Sequence, residues 1–142
     1  MGTTSYTEVF LDMFEAVPGI EFTGYIRNQS PLRGDKTVER LPVHWHEDIN
    51  EMVSSHKLIC SLATVARSDW IEEMTARGFD FVTLLHPSAV VSNKTKIGRG
   101  VSVDAGVVIA GYSQIGEHVR IGRRVSFGHH TSVGAYSTLH PG

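Results

Sequence analysis

The chain has 142 residues and a formal net charge of −2, with 20% charged and 41% hydrophobic residues. This length suits one domain or two small ones, and the composition is ordinary for a globular protein. The small net charge offers no electrostatic basis for binding nucleic acid or an acidic membrane, and no uncharged run reaches the roughly 18 residues that a membrane span requires.

The first residues and the single cysteine indicate the cellular compartment in which the protein is expected. The stretch MGTTSYTEVF has neither the basic region nor the apolar segment of a secretory signal. One cysteine, Cys60, excludes an internal disulfide and is typical of a reducing cytoplasm. Because Cys60 lies in the strand-like run KLICSLAT, we expect a buried structural thiol. A cytoplasmic location follows as the expectation.

Residues 1–85 are predicted to form a small α/β unit. Apolar spacing indicates helices in YTEVFLDMFEAV, in HEDINEMVSS, and in SDWIEEMTARG, where Ser68 is the expected cap and Gly78 the expected stop. Strands are indicated in EFTGYIRN, KLICSLA and FDFVTLLHP, whereas QSPLRGDKTVERLP reads as a polar loop. Strands that alternate with helices predict a parallel sheet.

The remaining residues, 86–142, carry a six-residue repeat that fits neither the helical period of 3.6 nor the strand period of 2. A small or β-branched residue precedes each apolar position by two, and glycine often follows it. The apolar column consists of Val91, Ile97, Val103, Ile109, Ile115, Ile121, Phe127, Val133 and Leu139.

This repeat predicts a parallel β-helix of about three coils. Each hexapeptide supplies one short strand with an inward aliphatic side chain, then a tight turn in which glycine tolerates unusual backbone angles. Three strands close a coil of eighteen residues, and coils stack at about the ordinary strand spacing of 4.8 Å.

An α/β unit, then TLLHPSAVVS, then hexapeptides with an outward histidine together resemble the left-handed β-helix sugar acyltransferases. Within these the chain is most similar to the sialic acid O-acetyltransferase and bacillosamine N-acetyltransferase group. The resemblance implies a left-handed winding and a partial, Rossmann-like first unit that lacks its first strand. It also implies acetyl-CoA as co-substrate, a nucleotide-linked or activated sugar as acceptor, and a homotrimer with the cofactor between adjacent β-helices.

The segment FGHHTSVG contains the candidate catalytic residues, His129 and His130. Phe127 and Thr131 occupy inward columns, so both histidines fall on turn or outward positions. The resemblance assigns the general base to His129, and an imidazole can take a proton at neutral pH. Relatives often place an acidic residue directly after the base, where this chain has His130. A surface histidine pair without a role is the alternative.

Two further segments are candidates for ligand contacts. Arg123 and Arg124 stand where relatives have an Asn-Thr-Gly-like turn, and they could hold phosphates or form an ordinary solvated turn. Gly2, Thr3, Thr4 and Ser5 align with the Gly-rich turn that approaches the nucleotide of the sugar in the resembled family.

Other histidines are given no catalytic role. His44 and His46 form a lone His-x-His in a helix-entry loop, and no metal is expected. His118 falls on a polar turn.

The sequence thus predicts a sugar acetyltransferase that acetylates an amino or hydroxyl group. A non-catalytic β-helix scaffold or sugar-binding relative, or a transferase with another acyl donor, are the alternatives. The resemblance places an oxyanion donor on a following coil, near position 147, so that the 142 residues alone are expected to be nearly inactive.

Overall fold

The structure, a computed structural model, describes residues 5–28, 37–38, 40–62 and 64–142. Within these ranges no helix is long and apolar enough to cross a membrane.

The N-terminal unit begins with helix α1, Ser5–Ala16, as the apolar spacing predicted. Strand β1, Tyr25–Arg27, follows within the predicted strand. Strands β2, Thr37–Val38, and β3, Leu41–Trp45, pair with each other in antiparallel fashion, while β3 pairs parallel to β1. A 3₁₀ helix, His46–Met52, and helix α2, Arg67–Ala76, complete its regular elements.

Several details of this unit differ from the sequence prediction. Strand β3 begins inside the expected polar loop. Of the two later predicted strands, KLICSLA keeps only a parallel bridge from Leu58 to Phe81, and FDFVTLLHP keeps that bridge and the two-residue strand Leu84–Leu85. Helix α2 begins before Ser68, whose hydroxyl donates to the Val65 carbonyl at 3.2 Å and does not cap the helix. The expected stop is confirmed, because Gly78 follows the helix as a left-handed residue with a φ of +95°.

The β-helix consists of two-residue strands, each pairing in parallel with the strand eighteen residues away. The strands are β4 Leu84–Leu85, β5 Val90–Val91, β6 Lys96–Ile97, β7 Ser102–Val103, β8 Val108–Ile109, β9 Gln114–Ile115, β10 Arg120–Ile121, β11 Ser126–Phe127, β12 Ser132–Val133 and β13 Thr138–Leu139. They form three sheets, in the orders β13-β10-β7-β4, β11-β8-β5 and β12-β9-β6. Leu84 and Leu85 therefore already belong to the stack.

The predicted apolar column lies inside the coils. Its middle members, Val103, Ile109, Ile115 and Ile121, are at most 3% exposed, and the other members pack against them while partly buried. Burying one such aliphatic side chain is worth about 1.5–3 kcal/mol, so the column organises the stack.

Glycine is required where the next coil passes close to a turn. A Cβ on Gly98 would lie 2.7 Å from the Glu117 amide nitrogen, and one on Gly116 would lie 2.5 Å from the Ala135 nitrogen. Both distances are shorter than van der Waals contact allows. The glycines of the repeat thus permit the coils to stack at strand spacing.

The outer face of the β4–β7–β10–β13 sheet is covered by the N-terminal unit. Leu84 is fully buried against Phe10 and Met13 of α1. From the β-helix, Arg120 donates to the Leu62 carbonyl at 3.1 Å. In the other direction, Arg67 of α2 donates to the carbonyls of Tyr136 and Ser137. These contacts hold the two parts of the chain together.

Candidate active site

The two candidate catalytic histidines lie at the coil corner between β11 and β12, and both are exposed. The corner is held to the coil below by backbone and side-chain bonds. The His130 amide donates to the Gly111 carbonyl at 3.1 Å, and the Thr131 amide donates to the buried Ser113 hydroxyl at 3.3 Å. Its backbone is therefore fixed although its imidazoles face solvent.

The imidazoles of His129 and His130 contact each other. Their Nδ1 atoms are 2.9 Å apart, and the rings meet edge to face with planes at 90°. On its other side His130 stacks on Tyr112, with centroids 5.0 Å apart and planes at 13°. The Lys94 ammonium donates to the Tyr112 hydroxyl at 3.0 Å. The corner thus presents a histidine pair supported by an aromatic ring and a cation.

A shallow groove of about 440 Å³ runs along the sheet that begins just after this corner, β12-β9-β6. Its outward side chains are Lys96, Gln114 and Ser132, one from each coil. Small residues of the turns, Gly98, Gly116, Gly134 and Ala135, line its edge and leave it open. Sequence reasoning did not single out this groove, although glycine at an eighteen-residue spacing was a visible signal.

The two candidate phosphate-binding arginines have different surroundings. The Arg123 guanidinium forms ion pairs with Asp104 at 3.3 Å and Asp12 at 3.5 Å, so it joins the β-helix to α1. Arg124 is exposed at a left-handed corner position with φ +61°. Of the two arginines, Arg124 is therefore the better candidate for binding a phosphate.

The remaining candidates lie at the N-terminus and around the start of the 3₁₀ helix, where the expected helix-entry loop is wrong: His44 lies in β3 and His46 is the first residue of the 3₁₀ helix. Gly2, Thr3 and Thr4 lie outside the described residues, and Ser5 is described only as the first residue of α1. In the part of the chain that the structure describes, no group of three or more His, Cys, Asp or Glu side chains is arranged to hold a metal ion.

The structure corrects the placement of His118 and supports that of Cys60. His118 is 2% exposed, because the N-terminal unit covers its corner, and its Nε2 has no hydrogen-bond partner among the described residues.

The expected burial of Cys60 is confirmed, and this burial raises the pKa of its thiol. A raised pKa disfavours the thiolate, as befits a structural thiol.

Comparison with known proteins gives structural but not sequence-level matches. No protein-family model matches the chain, and no curated protein matches it. The acetyltransferase domain of PglB from Neisseria gonorrhoeae FA1090 superimposes with a TM-score of 0.81 at 21% identity, covering 99% of this chain and 69% of that one. The same domain has been solved in complex with acetyl coenzyme A, at a TM-score of 0.62 and 20% identity, covering 99% of this chain and 86% of that one.

A second protein adds a sugar ligand. A histidine-to-alanine mutant of GDP-perosamine N-acetyl transferase from Caulobacter crescentus, in complex with CoA and GDP-perosamine, matches with a TM-score of 0.77 at 26% identity. The match covers 99% of this chain and 66% of that one. Together with the parallel stacked sheets, these neighbours show that the chain has the hexapeptide-repeat, left-handed β-helix fold of this group of acetyltransferases.

Proposed function

We propose that the protein transfers an acetyl group from acetyl-CoA to an amino or hydroxyl group of a nucleotide-linked sugar, with His129 as general base. The observation that carries the proposal is an exposed histidine pair at a coil corner beside an open groove. The neighbour that binds CoA and GDP-perosamine supports this chemistry and makes an amino sugar the first acceptor to test.

The reaction requires one positioned base. As the acceptor nitrogen or oxygen attacks the thioester carbonyl, Nε2 of His129 takes the acceptor's proton. The new bond to the acetyl carbon forms, the C–S bond breaks, and the CoA thiolate leaves and takes the proton from the His129 imidazolium, which restores the base. General base catalysis of this kind contributes about 10²–10⁴ in rate.

The groove on the β12–β9–β6 sheet is proposed as the acetyl-CoA site. It begins two residues after His130, at Ser132, so a thioester lying along it would end near the histidine pair. Lys96 at the groove supplies a positive charge for the phosphates of CoA. Arg124 lies at the corner between β10 and β11, which does not border this groove, so it is a candidate only for a phosphate bound outside it.

A homotrimer is proposed as the assembly, in the cytoplasm. The outer face of the β11–β8–β5 sheet exposes Val90 and Val108, at 64% and 41%, and a neighbouring β-helix would cover them. Light scattering on the dilute protein checks the assembly, and a clean monomer would contradict it.

The function is tested by following release of the CoA thiol, with the acetylated product identified by mass. Acetyl-CoA is supplied with a nucleotide-linked amino sugar, with its hydroxyl counterpart, or with no acceptor. The proposal predicts product at a low rate that is still above uncatalysed thioester hydrolysis, and only with an acceptor present. If neither acceptor is acetylated at high protein concentration, the proposal fails. Transfer of a formyl group from a formyl carrier under the same conditions would instead show that the protein uses another acyl donor.

A further inference from the structure

We propose that His130 is a positioning residue that keeps the proton of neutral His129 on Nδ1 and leaves Nε2 of His129 free to act. Tyr112 and Lys94 would in turn hold His130 in place. The inference rests on the proposed function, because it explains how His129 is prepared to act as a base.

The contact between the two rings can hold only one proton. Their Nδ1 atoms lie 2.9 Å apart, which is a hydrogen-bond distance. A neutral imidazole has one nitrogen that donates and one that accepts, so one ring must donate from Nδ1 and the other must accept there. The partner of one ring nitrogen therefore decides which proton the other nitrogen carries.

Only one direction of this bond leaves His129 functional. If Nδ1–H of His129 donates to Nδ1 of His130, then Nε2 of His129 has a free lone pair. In the opposite arrangement Nδ1 of His129 accepts, its Nε2 carries the proton, and neither nitrogen is available. When His129 takes the acceptor's proton, its Nδ1–H bond to His130 becomes charge-assisted and stronger.

His130 is held from its backbone and from its ring. Its amide donates to Gly111 O, and its ring stacks on Tyr112. Tyr112 is itself held by Lys94, whose Nζ lies 3.0 Å from the hydroxyl and 5.0 Å from the ring centroid. Lys94, Tyr112 and His130 stand eighteen residues apart, so they occupy the same corner of successive coils.

The stack of Lys94, Tyr112 and His130 restricts the motion of the exposed His130 imidazole. A single exposed side chain would sample several rotamers, and the Nδ1 contact would be lost much of the time. Stacking on Tyr112 favours the one ring orientation that faces His129. The neutral imidazole of His130 thus accepts the bond that a carboxylate would accept at this position.

Two variants at position 130 distinguish the role of the hydrogen-bond acceptor of His130 from the role of its aromatic ring. His130→Phe keeps a ring to stack on Tyr112 but has no acceptor, whereas His130→Asp has an acceptor but no ring. Both are expected to fold. Tyr112 and Tyr136 already occupy equivalent corners with φ near +60°, and aspartate is enriched in this backbone region. Thermal unfolding of both variants checks this, and His56→Ala serves as the remote histidine control.

The decisive readout is the tautomer of His129, read from long-range ¹H–¹⁵N NMR of the ¹⁵N-histidine-labelled protein near pH 8. We expect Nδ1–H in the wild type and in His130→Asp, and a shift towards Nε2–H in His130→Phe. We also expect kcat to fall by about 10–100-fold in His130→Phe, by analogy with the loss of the outer hydrogen-bond partner of a metal-ligating histidine, with KM little changed. His130→Asp should retain most of the wild-type kcat.

Nε2–H on His129 in the wild type, or an unchanged tautomer in His130→Phe, would overturn the proposal. If the wild type acetylates no acceptor, the proposed function fails, while the NMR spectra still decide the role of His130.

Discussion

His118 and Tyr136, eighteen residues apart, stack with ring centroids 5.4 Å apart and planes at 11°. Phe81 of the N-terminal unit meets the edge of the same imidazole, with centroids 5.1 Å apart. His118 thus lies at the junction of the two parts of the chain. Burial lowers its pKa below the ordinary 6.5, and the positive charge of Arg99 acts in the same direction.

The lowered pKa of His118 predicts a loss of stability in mild acid. Below about pH 6.5 the unfolded chain takes up a proton at this histidine that the folded chain resists, so folding becomes less favourable as the pH falls. The contribution is fully present above pH 6.5 and is lost towards the lower, folded-state pKa.

Thermal unfolding between pH 7.5 and 5 checks this prediction. His118→Phe keeps a ring between Tyr136 and Phe81, and we expect its melting temperature to fall less steeply on acidification than that of the wild type. Equal slopes would show that another group dominates. His140→Ala, at an exposed histidine, is the control and should follow the wild-type slope.

Glycine at position 100 is expected to be essential for packing against His118. A Cβ there would lie 2.6 Å from Cε1 of the ring, and the residue has φ +64°. Gly106 has nearly the same φ, +68°, but its Cβ would meet only Arg124 Cγ at 3.6 Å. The two alanine variants therefore share the backbone strain and differ in the clash.

We expect Gly106→Ala to cost about 1–2 kcal/mol from left-handed backbone strain alone. Gly100→Ala should cost a further 1–3 kcal/mol or so from overpacking. Denaturant unfolding of both variants measures the difference. A smaller loss for Gly100→Ala than for Gly106→Ala would mean that His118 is not held where the structure places it.

The inward register predicts opposite effects of aspartate on the two faces of a coil. Ile109→Asp or Ile115→Asp buries an unpaired carboxylate, a cost of several kcal/mol that is comparable with the whole stability of a domain. Ser132→Asp places the same group outward, where it is solvated. Circular dichroism should show unfolding only for the isoleucine variants, and equal tolerance at all three positions would contradict the register.

The folded Ser132→Asp variant also tests the proposed acetyl-CoA groove. A carboxylate there would repel the phosphates of CoA, so we expect the Kd for CoA to rise about tenfold or more, with unchanged folding. Ser54→Asp adds the same charge at an exposed turn of the N-terminal unit, outside the lining of the groove, and is the matched control. Titration calorimetry measures both, and equal affinities would place CoA elsewhere.

The β-helix was predictable because its periodicity is local. Every residue of the apolar column, from Val91 to Leu139, has the same position in its hexapeptide and therefore the same kind of environment. The structure confirms that these residues form the core of the coils. Strand β3 was missed because its sequence, LPVHW, follows a polar stretch and contains proline, which signals a loop. Its pairing with β1 is a tertiary contact that overrides local preference.

The surroundings of the candidate site residues could not be read from the repeat. Nothing local shows which face of the β-helix the N-terminal unit covers, so His118 looked like any turn residue. Similarly, Arg123 meets Asp12 across 111 residues of chain. The outward position of His129 did follow from the register, but its contact with His130 depends on side-chain orientation, which spacing does not determine.

The most direct test of the central claim is kcat for acetyl transfer to a nucleotide-linked amino sugar by the wild type and His129→Ala, with His56→Ala as control. If His129 is the general base, kcat falls by about 10²–10⁴ in His129→Ala at unchanged CoA affinity, and His56→Ala keeps wild-type turnover. Wild-type kcat in His129→Ala would contradict the assignment of this residue as the base.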